Sequence, residues 1–417
     1  MSQTKQQKRL WIVNQYATPP DLPGITRHYS LGKHLVEVGW DVKIFTSNYR
    51  HETRKQYIDS IRGKADEVSF DGVKFIFVNQ TVKYKSNSFA RIANIIEFGK
   101  NVYKVMRAQS QVAHPNIILG SSFHFINVES ALMLSKRVGA IPILEVRDLW
   151  PEALIYLRNL SPNGFLARTL SAESRRLYCL NRGAIALSPA IEKTIKGYCP
   201  KKPTLMLPNP IDNDLFLNVD ISRWKSLDPI NTILNSNAKA KILYIGTIGE
   251  ANAFEVIYKA AELLREYDIE FYVVGHGEKF NHFRGLAEKQ GIKMFFFDPI
   301  PKLAVPTLLS LADALVASIH PTFALYGGSM NKLNDYMMAA KPIFYSGPRE
   351  NTPFDSIDCA EVVDPLDFRS LASRILQFYH SPDAYYQRAQ VCNSYAVDFL
   401  SSSSLAMRLN SFLNAFF

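Results

Sequence analysis

The sequence predicts an α/β protein built from two doubly wound, Rossmann-like domains in tandem. Three observations point there. Short apolar runs alternate with stretches of helical apolar spacing, which is the βα rhythm of parallel sheets covered by helices. The rhythm breaks in the turn-rich stretch from Lys201-Lys202-Pro203 to Pro208-Asn209-Pro210 and then restarts. Several apolar runs are followed at once by turns rich in glycine and hydroxyl groups, where doubly wound sheets carry their ligands.

Taken in order, residues 10–16 read as a buried first strand, and the loop after it carries Pro19, Pro20, Pro23 and Gly24. Residues 26–38 have helical periodicity, Gly39 stops it, and 41–46 form the next strand, which completes a βαβ unit. Runs 73–78, 117–120, 143–146 and 184–188 continue the sheet, with helix-like spacing at 89–108 and 128–138. The first domain is therefore expected to span 1–200. Runs 241–245, 271–274, 294–297 and 314–317 build the second, expected at 201–382. The last stretch, about 383–417, carries an apolar face with Leu405, Leu409, Phe412 and Phe416, and is expected as a helix packing back on the first domain. A cleft between the two domains is the expected place for ligands.

Composition narrows the class. At 417 residues with 47% hydrophobic and 21% charged content, the chain is ordinary globular protein, long enough for two cores. A net charge of +10 implies an anionic partner such as a nucleotide, an anionic membrane surface or a nucleic acid. Cys179, Cys199, Cys359 and Cys392 form no C-x-x-C pair, so they are expected as reduced thiols of a cytosolic protein rather than a zinc site or disulfide framework. The polar start does not resemble a secretory signal, and no window approaches the ~18 to 20 apolar residues that cross a bilayer.

Candidate chemistry gathers at strand ends. Gly327, Gly328 and Ser329 precede a run with helical spacing at Leu333, Tyr336, Met337 and Ala340, ended by Pro342. Such a helix start presents free N–H groups and suits a phosphate, with Lys332 as a point charge and Asp335 one turn on as a ribose acceptor. The plain alternatives are a turn with its N-cap and a solvated lysine. Gly246-Thr247-Ile248-Gly249 and Gly275-His276-Gly277-Glu278 add two more loops where glycine would admit an anion or a base ring. No G-x-G-x-x-G follows the first strand and no P-loop motif occurs, so dehydrogenase and P-loop readings lack support. In the first half, His124 and the pair Arg147-Asp148 follow strands and are catalytic candidates, although a lone histidine is usually structural and Arg-Asp usually an ion pair. Residues 83–107 hold Lys83, Lys85, Arg91, Lys100, Lys104 and Arg107 against the single acid Glu97, interleaved with apolar side chains. Such a segment either lies on an anionic bilayer or packs its apolar side on the sheet. No nucleic-acid reading motif accompanies the charge.

Together these segments resemble the GT-B retaining glycosyltransferases of family 4, in particular the bacterial cell-envelope sugar transferases of the fucosamine-transferase-like type. The resemblance rests on Asn14-Gln15-Tyr16 with Pro19, Pro20 and Gly24; on Arg147-Asp148-Leu149-Trp150-Pro151-Glu152; on Leu207-Pro208-Asn209 with Asp212 and Phe216; on the two glycine loops; and on Asn331-Lys332-Leu333-Asn334-Asp335-Tyr336-Met337. It implies transfer of a sugar, with retention, from a nucleotide donor of the UDP-sugar class to a hydroxyl on a lipid-linked or envelope glycan. The donor would lie on the C-terminal domain, with Asp335 on the ribose, Ser329, Met330, Asn331 and Lys332 on the pyrophosphate, and the base near Gly275 and Pro299. Gly24 would close over the phosphates, His124 and Asp148 would touch donor sugar or acceptor, and no metal cofactor is implied. The sequence departs from the family pattern at Gly327, where a glutamate is common, at Glu250, where a cation is common, and at Pro210, where glycine is common. A nucleotide-sugar epimerase or hydrolase of the same architecture, and a weakly active partner of another transferase, remain alternatives.

Overall fold

The computed structural model describes residues 7–22, 26–50, 55–59, 61, 63–84, 89–122, 124–149, 152, 161, 163–217, 219–325 and 330–417. The chain divides into two compact units, Met1–Pro210 with Ser402–Phe417, and Ile211–Ser401.

The first unit is an eight-stranded sheet in the order β3-β4-β2-β1-β5-β6-β7-β8. Its strands are β1 (Lys8–Val13), β2 (Trp40–Ser47), β3 (Ala65–Phe70), β4 (Val73–Val78), β5 (Ile117–Ser122), β6 (Ile141–Val146), β7 (Gly183–Ala186) and β8 (Thr204–Met206). All pairings are parallel except β3 with β4. That hairpin turns at Asp71 and Gly72, both at positive φ (47° and 79°), the conformation that Asp-Gly favours. Helices α1 (Arg27–Glu37), α2 (Phe89–Ser110), α3 (Phe125–Val138), α4 (Phe165–Leu180) and α5 (Pro189–Tyr198) connect the strands. Alternation along β1 decides which layer covers which face. Trp11 and Val13 pack with Phe98, Val102 and Met106 of α2, while Leu10 and Ile12 pack with Leu31 and Leu35 of α1.

The second unit is a six-stranded, all-parallel sheet in the order β11-β10-β9-β12-β13-β14. Its strands are β9 (Ala240–Ile245), β10 (Ile269–Val274), β11 (Met294–Phe297), β12 (Ala314–Ser318), β13 (Ile343–Ser346) and β14 (Glu361–Val363). The longer helices are α6 (Phe254–Leu263), α7 (Phe280–Gln290), α8 (Val305–Leu311), α9 (Asn331–Met338), α10 (Phe368–His380) and α11 (Asp383–Leu400). Phe254, Phe283 and Phe378 fill one face of the sheet, and Leu308, Leu333, Met337 and Ala396 fill the other. None of the described helices is long and apolar enough to cross a membrane.

Three expectations need correction. The boundary falls after Pro210 rather than near 200, because β8 pairs with β7 and holds the turn-rich stretch to the first sheet. The single C-terminal helix expected over 383–417 is two helices. Ser401 is extended (φ −60°, ψ 147°) and bridges to Ile211, so α11 belongs to the second unit and only α12 (Ser402–Asn414) packs on the first, through Leu405, Leu409 and Leu413. The cysteines are not free thiols: Cys179 is bonded to Cys199 and Cys359 to Cys392, with Cα atoms 5.9 Å and 5.2 Å apart. Separations of 20 and 33 residues carry no local signal, and only the packing of α4 on α5 and of α11 beneath β14 brings each pair together.

A cross-link spanning a loop of this length stabilises by about 3 to 4 kcal/mol in the chain-entropy description. Cys392→Ser is therefore expected to lower the urea midpoint of the second unit's transition, and reductant is expected to lower it equally in the unsubstituted protein. Titration of four reactive thiols in the native, unreduced protein would remove both bonds.

Candidate functional site

In open parallel sheets, ligands bind beyond the carboxyl ends of the strands at the point where strand order reverses. In the second unit that point lies between β9 and β12, which pair only at Ala314 with Ile242 and Leu315 with Leu243 before diverging. The split leaves the Ile245 amide without a strand partner. The Tyr336 hydroxyl fills the gap, accepting from Ile245 N at 2.8 Å and donating to Val316 O at 3.3 Å. Tyr336 is fully buried on α9, so this contact fixes the start of α9 at the mouth of the split.

Met330 at the N-cap of α9 makes no side-chain cap, and of the first-turn amides that of Leu333 donates to Met330 O at 2.9 Å. Lys332 folds back from this turn. Its Nζ donates to the Tyr244 hydroxyl at 3.0 Å and to Asn252 Oδ1 at 3.1 Å, and it lies 4.3 Å from the centre of the Tyr244 ring. Tyr244 in turn donates to Thr247 O at 2.6 Å, which ties the lysine to the glycine loop. Among the described residues no carboxylate pairs with Lys332, and burial pulls its ammonium down to about 7. The solvated-lysine alternative is thus set aside.

The glycine loops do something other than expected. A Cβ on Gly275 would stand 1.9 Å from Gly246 O, one on Gly277 2.1 Å from Ile248 O, and one on Gly246 2.6 Å from Lys332 Nζ. These glycines let the two loops and the lysine pack together. The amides of Gly246, Ile248 and Gly275 are already committed to Val274 O, His276 O and Phe297 O, so they are not free to cradle a phosphate. Thr247 is exposed and Gly249 buried, and Pro299 lies on the exposed turn after β11. Asp335, the expected ribose acceptor, is ion-paired with Lys302 at 2.5 Å. A sugar hydroxyl there would share or displace that lysine. Glu250 is exposed on the rim of a cavity of 310 Å³ that Lys279 and His320 also line. Gly24, Gly327, Ser329 and the Asn331 side chain lie outside the described residues.

In the first unit strand order reverses between β1 and β5, and two buried polar networks meet there. Asn94 Nδ2 donates to Val82 O, Gln15 Nε2 to Asn94 Oδ1 at 2.8 Å, and Gln15 Oε1 faces His124 Nε2 at 2.8 Å. Because Gln15 Nε2 donates to Asn94, its Oε1 is the atom that faces His124 and accepts from Nε2, so Nε2 carries the proton and the buried Nδ1 is left as an acceptor. Burial, reinforced by the Arg91 charge, brings its pKa down to about 3, so His124 is neutral and its Nδ1 can accept a hydrogen bond. Burial raises the pKa of neighbouring Asp148, opposed by Arg147, whose own pKa burial lowers. His124 and Asp148 line a crevice of about 10 Å³ with Tyr178, room for one water and not for a sugar ring.

The second network was not foreseen. Glu145, within the apolar run of β6, accepts from Arg27 Nε (2.8 Å), His28 Nε2 (2.8 Å) and Ser121 Oγ (2.7 Å). Arg27 also holds Leu207 O at 2.9 Å and Pro208 O. Asn14 accepts from Tyr16 N with Oδ1, so its Nδ2 faces His28 Nδ1 and leaves the His28 proton on Nε2. Burial pushes the Glu145 pKa up, yet Arg27 and His28, aided by Arg147, hold it well below the usual carboxylate range. The signal available in sequence was a carboxylate inside a buried run, which demands a cation. Among the described residues no group of three or more His, Cys, Asp or Glu is placed to hold a metal ion.

Residues 239–381 match the family described as Glycosyl transferases group 1. A protein of Escherichia coli (strain K12) named as a colanic acid biosynthesis glycosyl transferase, WcaI, is 23% identical over 236 residues, 56% of this chain. That alignment spans 57% of the relative's length. Among solved structures, an α,α-trehalose-phosphate synthase (UDP-forming) from Burkholderia vietnamiensis superposes with a TM-score of 0.72 at 11% identity, covering 99% of both chains. HepE of Anabaena in complex with UDP and glucose superposes with a TM-score of 0.65 at 12% identity, covering 98% of this chain and 100% of that one. The catalytic domain of starch synthase IV from Arabidopsis thaliana, bound to ADP and acarbose, gives 0.69 at 12% identity over 98% of this chain and 99% of that one. The fold is GT-B. The family match falls within the second unit, and the solved structures show the fold alone.

Two stability tests follow from the site. Glu145→Gln leaves Arg27 buried without its counter-charge and is expected to cost about 3 to 5 kcal/mol in urea unfolding at neutral pH. Because the folded pKa lies below the ordinary 4.5, this contribution is complete above that value and drains away as pH falls. Lys332 has the opposite sign. Its folded pKa of about 7 lies below the ordinary 10.5, so the unfolded chain binds the proton more tightly and stability rises with pH across that window. Lys332→Met is expected to abolish this rise and to stabilise the protein at pH 7 by roughly 1 to 3 kcal/mol; a less stable variant with the slope intact would contradict the buried ammonium.

Proposed function

We propose that the chain is a retaining, hexosyl-type glycosyltransferase that moves a sugar from a nucleotide donor, of the UDP-sugar class, to a hydroxyl of a lipid-linked or cell-envelope glycan. The observation that carries the reading is the Lys332 ammonium, enclosed among neutral partners beside the uncapped start of α9 at the point where strand order reverses. A buried cation without a carboxylate is an unfavourable arrangement that an anionic ligand relieves. A diphosphate fits that role, and the named ligands of HepE and starch synthase IV include a nucleoside diphosphate, UDP in one and ADP in the other.

In this reading the diphosphate lies against Lys332 and the first-turn amides of α9, the ribose reaches Asp335, and the base lies toward Gly275 and Pro299. The bond from the anomeric carbon to the diphosphate oxygen breaks, and charge gathers on the leaving oxygen. Lys332 and the helix start neutralise that charge, and the reading assigns no metal to the task. On the first unit, His124 Nδ1 accepts a hydrogen bond from a single hydroxyl of the acceptor in the water-sized space beside it, with Asp148 lining the same space. The acceptor oxygen bonds to the anomeric carbon on the face the diphosphate leaves and passes its proton to the departing diphosphate oxygen, which keeps the configuration. The colanic acid assignment in the relative's name and the net charge of +10 favour an envelope glycan met at the inner face of the cytoplasmic membrane.

Calorimetric titration with UDP tests the donor site. Lys332→Ala and Asp335→Ala are each expected to weaken binding by about tenfold or more, the worth of a charge-assisted hydrogen bond. Wild-type affinity in both variants would remove the assignment. Binding at pH 8 is further expected to take up a proton, because the diphosphate raises a lysine that is largely neutral in the free protein at that pH. The apparent enthalpy then changes with the ionisation enthalpy of the buffer. At pH 6 the lysine is already charged and that dependence is expected to fade.

A further inference from the structure

The outer face of α2 is divided along its length. Phe89 is 90% exposed, and Ile92 and Ile96 are also exposed one and two turns further on. The same stripe continues with exposed Lys100, Lys104 and Arg107. The one acid of this helix is withdrawn: Glu97 accepts from Thr81 N (2.9 Å), Thr81 Oγ1 (2.6 Å) and Val82 N (2.9 Å), so its charge is spent on the neighbouring backbone. Phe98, Val102 and Met106 point inward and account for the packing of α2 on the sheet. The outward apolar residues have no part in that core.

A second tip repeats the pattern. Phe165, 87% exposed, and Leu166, also exposed, open α4, with exposed Arg168 and Arg175 behind them. Helix α3 packs between α2 and α4, so the three form one layer on one face of the sheet. Each returns antiparallel to the strand before it, which puts the starts of α2 and α4 at the carboxyl edge, two interhelical spacings or roughly 16 to 20 Å apart. His124, Arg147 and Asp148 follow β5 and β6 at that same edge.

We propose that this layer docks the first unit on an anionic lipid bilayer. The tips at Phe89, Ile92 and Ile96 and at Phe165 and Leu166 enter the headgroup boundary, while Lys100, Lys104 and Arg107 lie along the phosphates. An apolar end followed by a cationic stripe matches the depth profile of such a surface, hydrocarbon below and anionic headgroups above. A second copy of the chain fits poorly. A two-fold contact through this face would gather the cations of both copies into one interface, where the one acid of α2 is already engaged. The surface stands on its own geometry. Its service to the acceptor rests on the glycosyltransferase reading: docking at the carboxyl edge brings His124 and Asp148 toward the headgroups, where a lipid-linked glycan is anchored.

Cosedimentation with phosphatidylcholine vesicles, with and without an equal part of phosphatidylglycerol, tests the proposal. The protein is expected to bind the anionic vesicles at low salt, to leave them as salt rises, and to ignore pure phosphatidylcholine. Lys100→Gln, Lys104→Gln and Arg107→Gln combined are expected to weaken partitioning by about a hundredfold, at roughly 1 kcal/mol per cation. Phe89→Ser with Ile92→Ser, and separately Phe165→Ser with Leu166→Ser, are each expected to weaken it about tenfold or more. No binding to anionic vesicles at low salt overturns the proposal, and so does unchanged binding in both apolar variants. So does a wild-type dimer in sedimentation velocity that the apolar variants dissolve. UDP titration of the same variants separates the readings, since affinity is expected to stay at the wild-type value; a protein that docks on vesicles but never binds UDP keeps the surface and loses the transferase.

Discussion

A lysine ammonium that no carboxylate pairs with among the described residues is the constraint on which the second unit turns. Lys332 has a phenol, an amide oxygen and an aromatic face around it, and these partners orient the charge without neutralising it. Everything near it serves that placement. Gly246 leaves room for Nζ, Tyr336 closes the split between β9 and β12 and sets the helix from which the lysine folds back, and Asn252 holds it from the opposite turn. A group kept this way gives up stability in the empty protein and regains it when an anion arrives. That is the expected signature of a ligand site rather than of a structural ion pair.

The first unit solves the matching problem in the other way. Its buried charge, Glu145, accepts from Arg27, His28 and Ser121, and the arginine donates from its two terminal nitrogens to the carbonyls of Pro208 and Leu207. The knot joins the start of α1, the end of β6 and the segment leaving the sheet, so it is a fastening. Beside it, the chain from Asn94 through Gln15 to His124 ends in one open acceptor, His124 Nδ1. One network is closed and the other ends on a lone pair, which separates scaffold from candidate chemistry within a few residues of chain.

Much of the fold was legible because periodicity reports burial. Strands 73–78 and 294–297 fall where the apolar runs end, and the residues that face inward on α9, Leu333, Tyr336 and Met337, are those with helical spacing. Elements whose residues are neither uniformly apolar nor long escaped. Strand β3 alternates polar and apolar residues at a sheet edge, and β14 has three residues. Among the site residues, Lys332 and Asp335 were legible from the helix start, but their partners Tyr244, Asn252 and Lys302 were not. Nothing local ties Tyr244 to Lys332 across 88 positions, and the same holds for Glu145 and Arg27 across 118.

The sequence by itself determined the class of architecture, two sheets of the parallel βα kind, and the strand ends where polar residues interrupt apolar runs, because both follow from local burial pattern. Tertiary structure alone decided which cysteines pair, that the C-terminal helix breaks at Ser401, that the glycines of the 246–249 and 275–278 loops serve close packing of loop on loop, and that the Lys332 ammonium is desolvated on α9 while Lys100 and Lys104 on α2 stay exposed. Those outcomes depend on which groups end up within a few ångströms of each other. Distance across a fold is set by the sheet order and the helix layers, which no stretch of chain contains on its own.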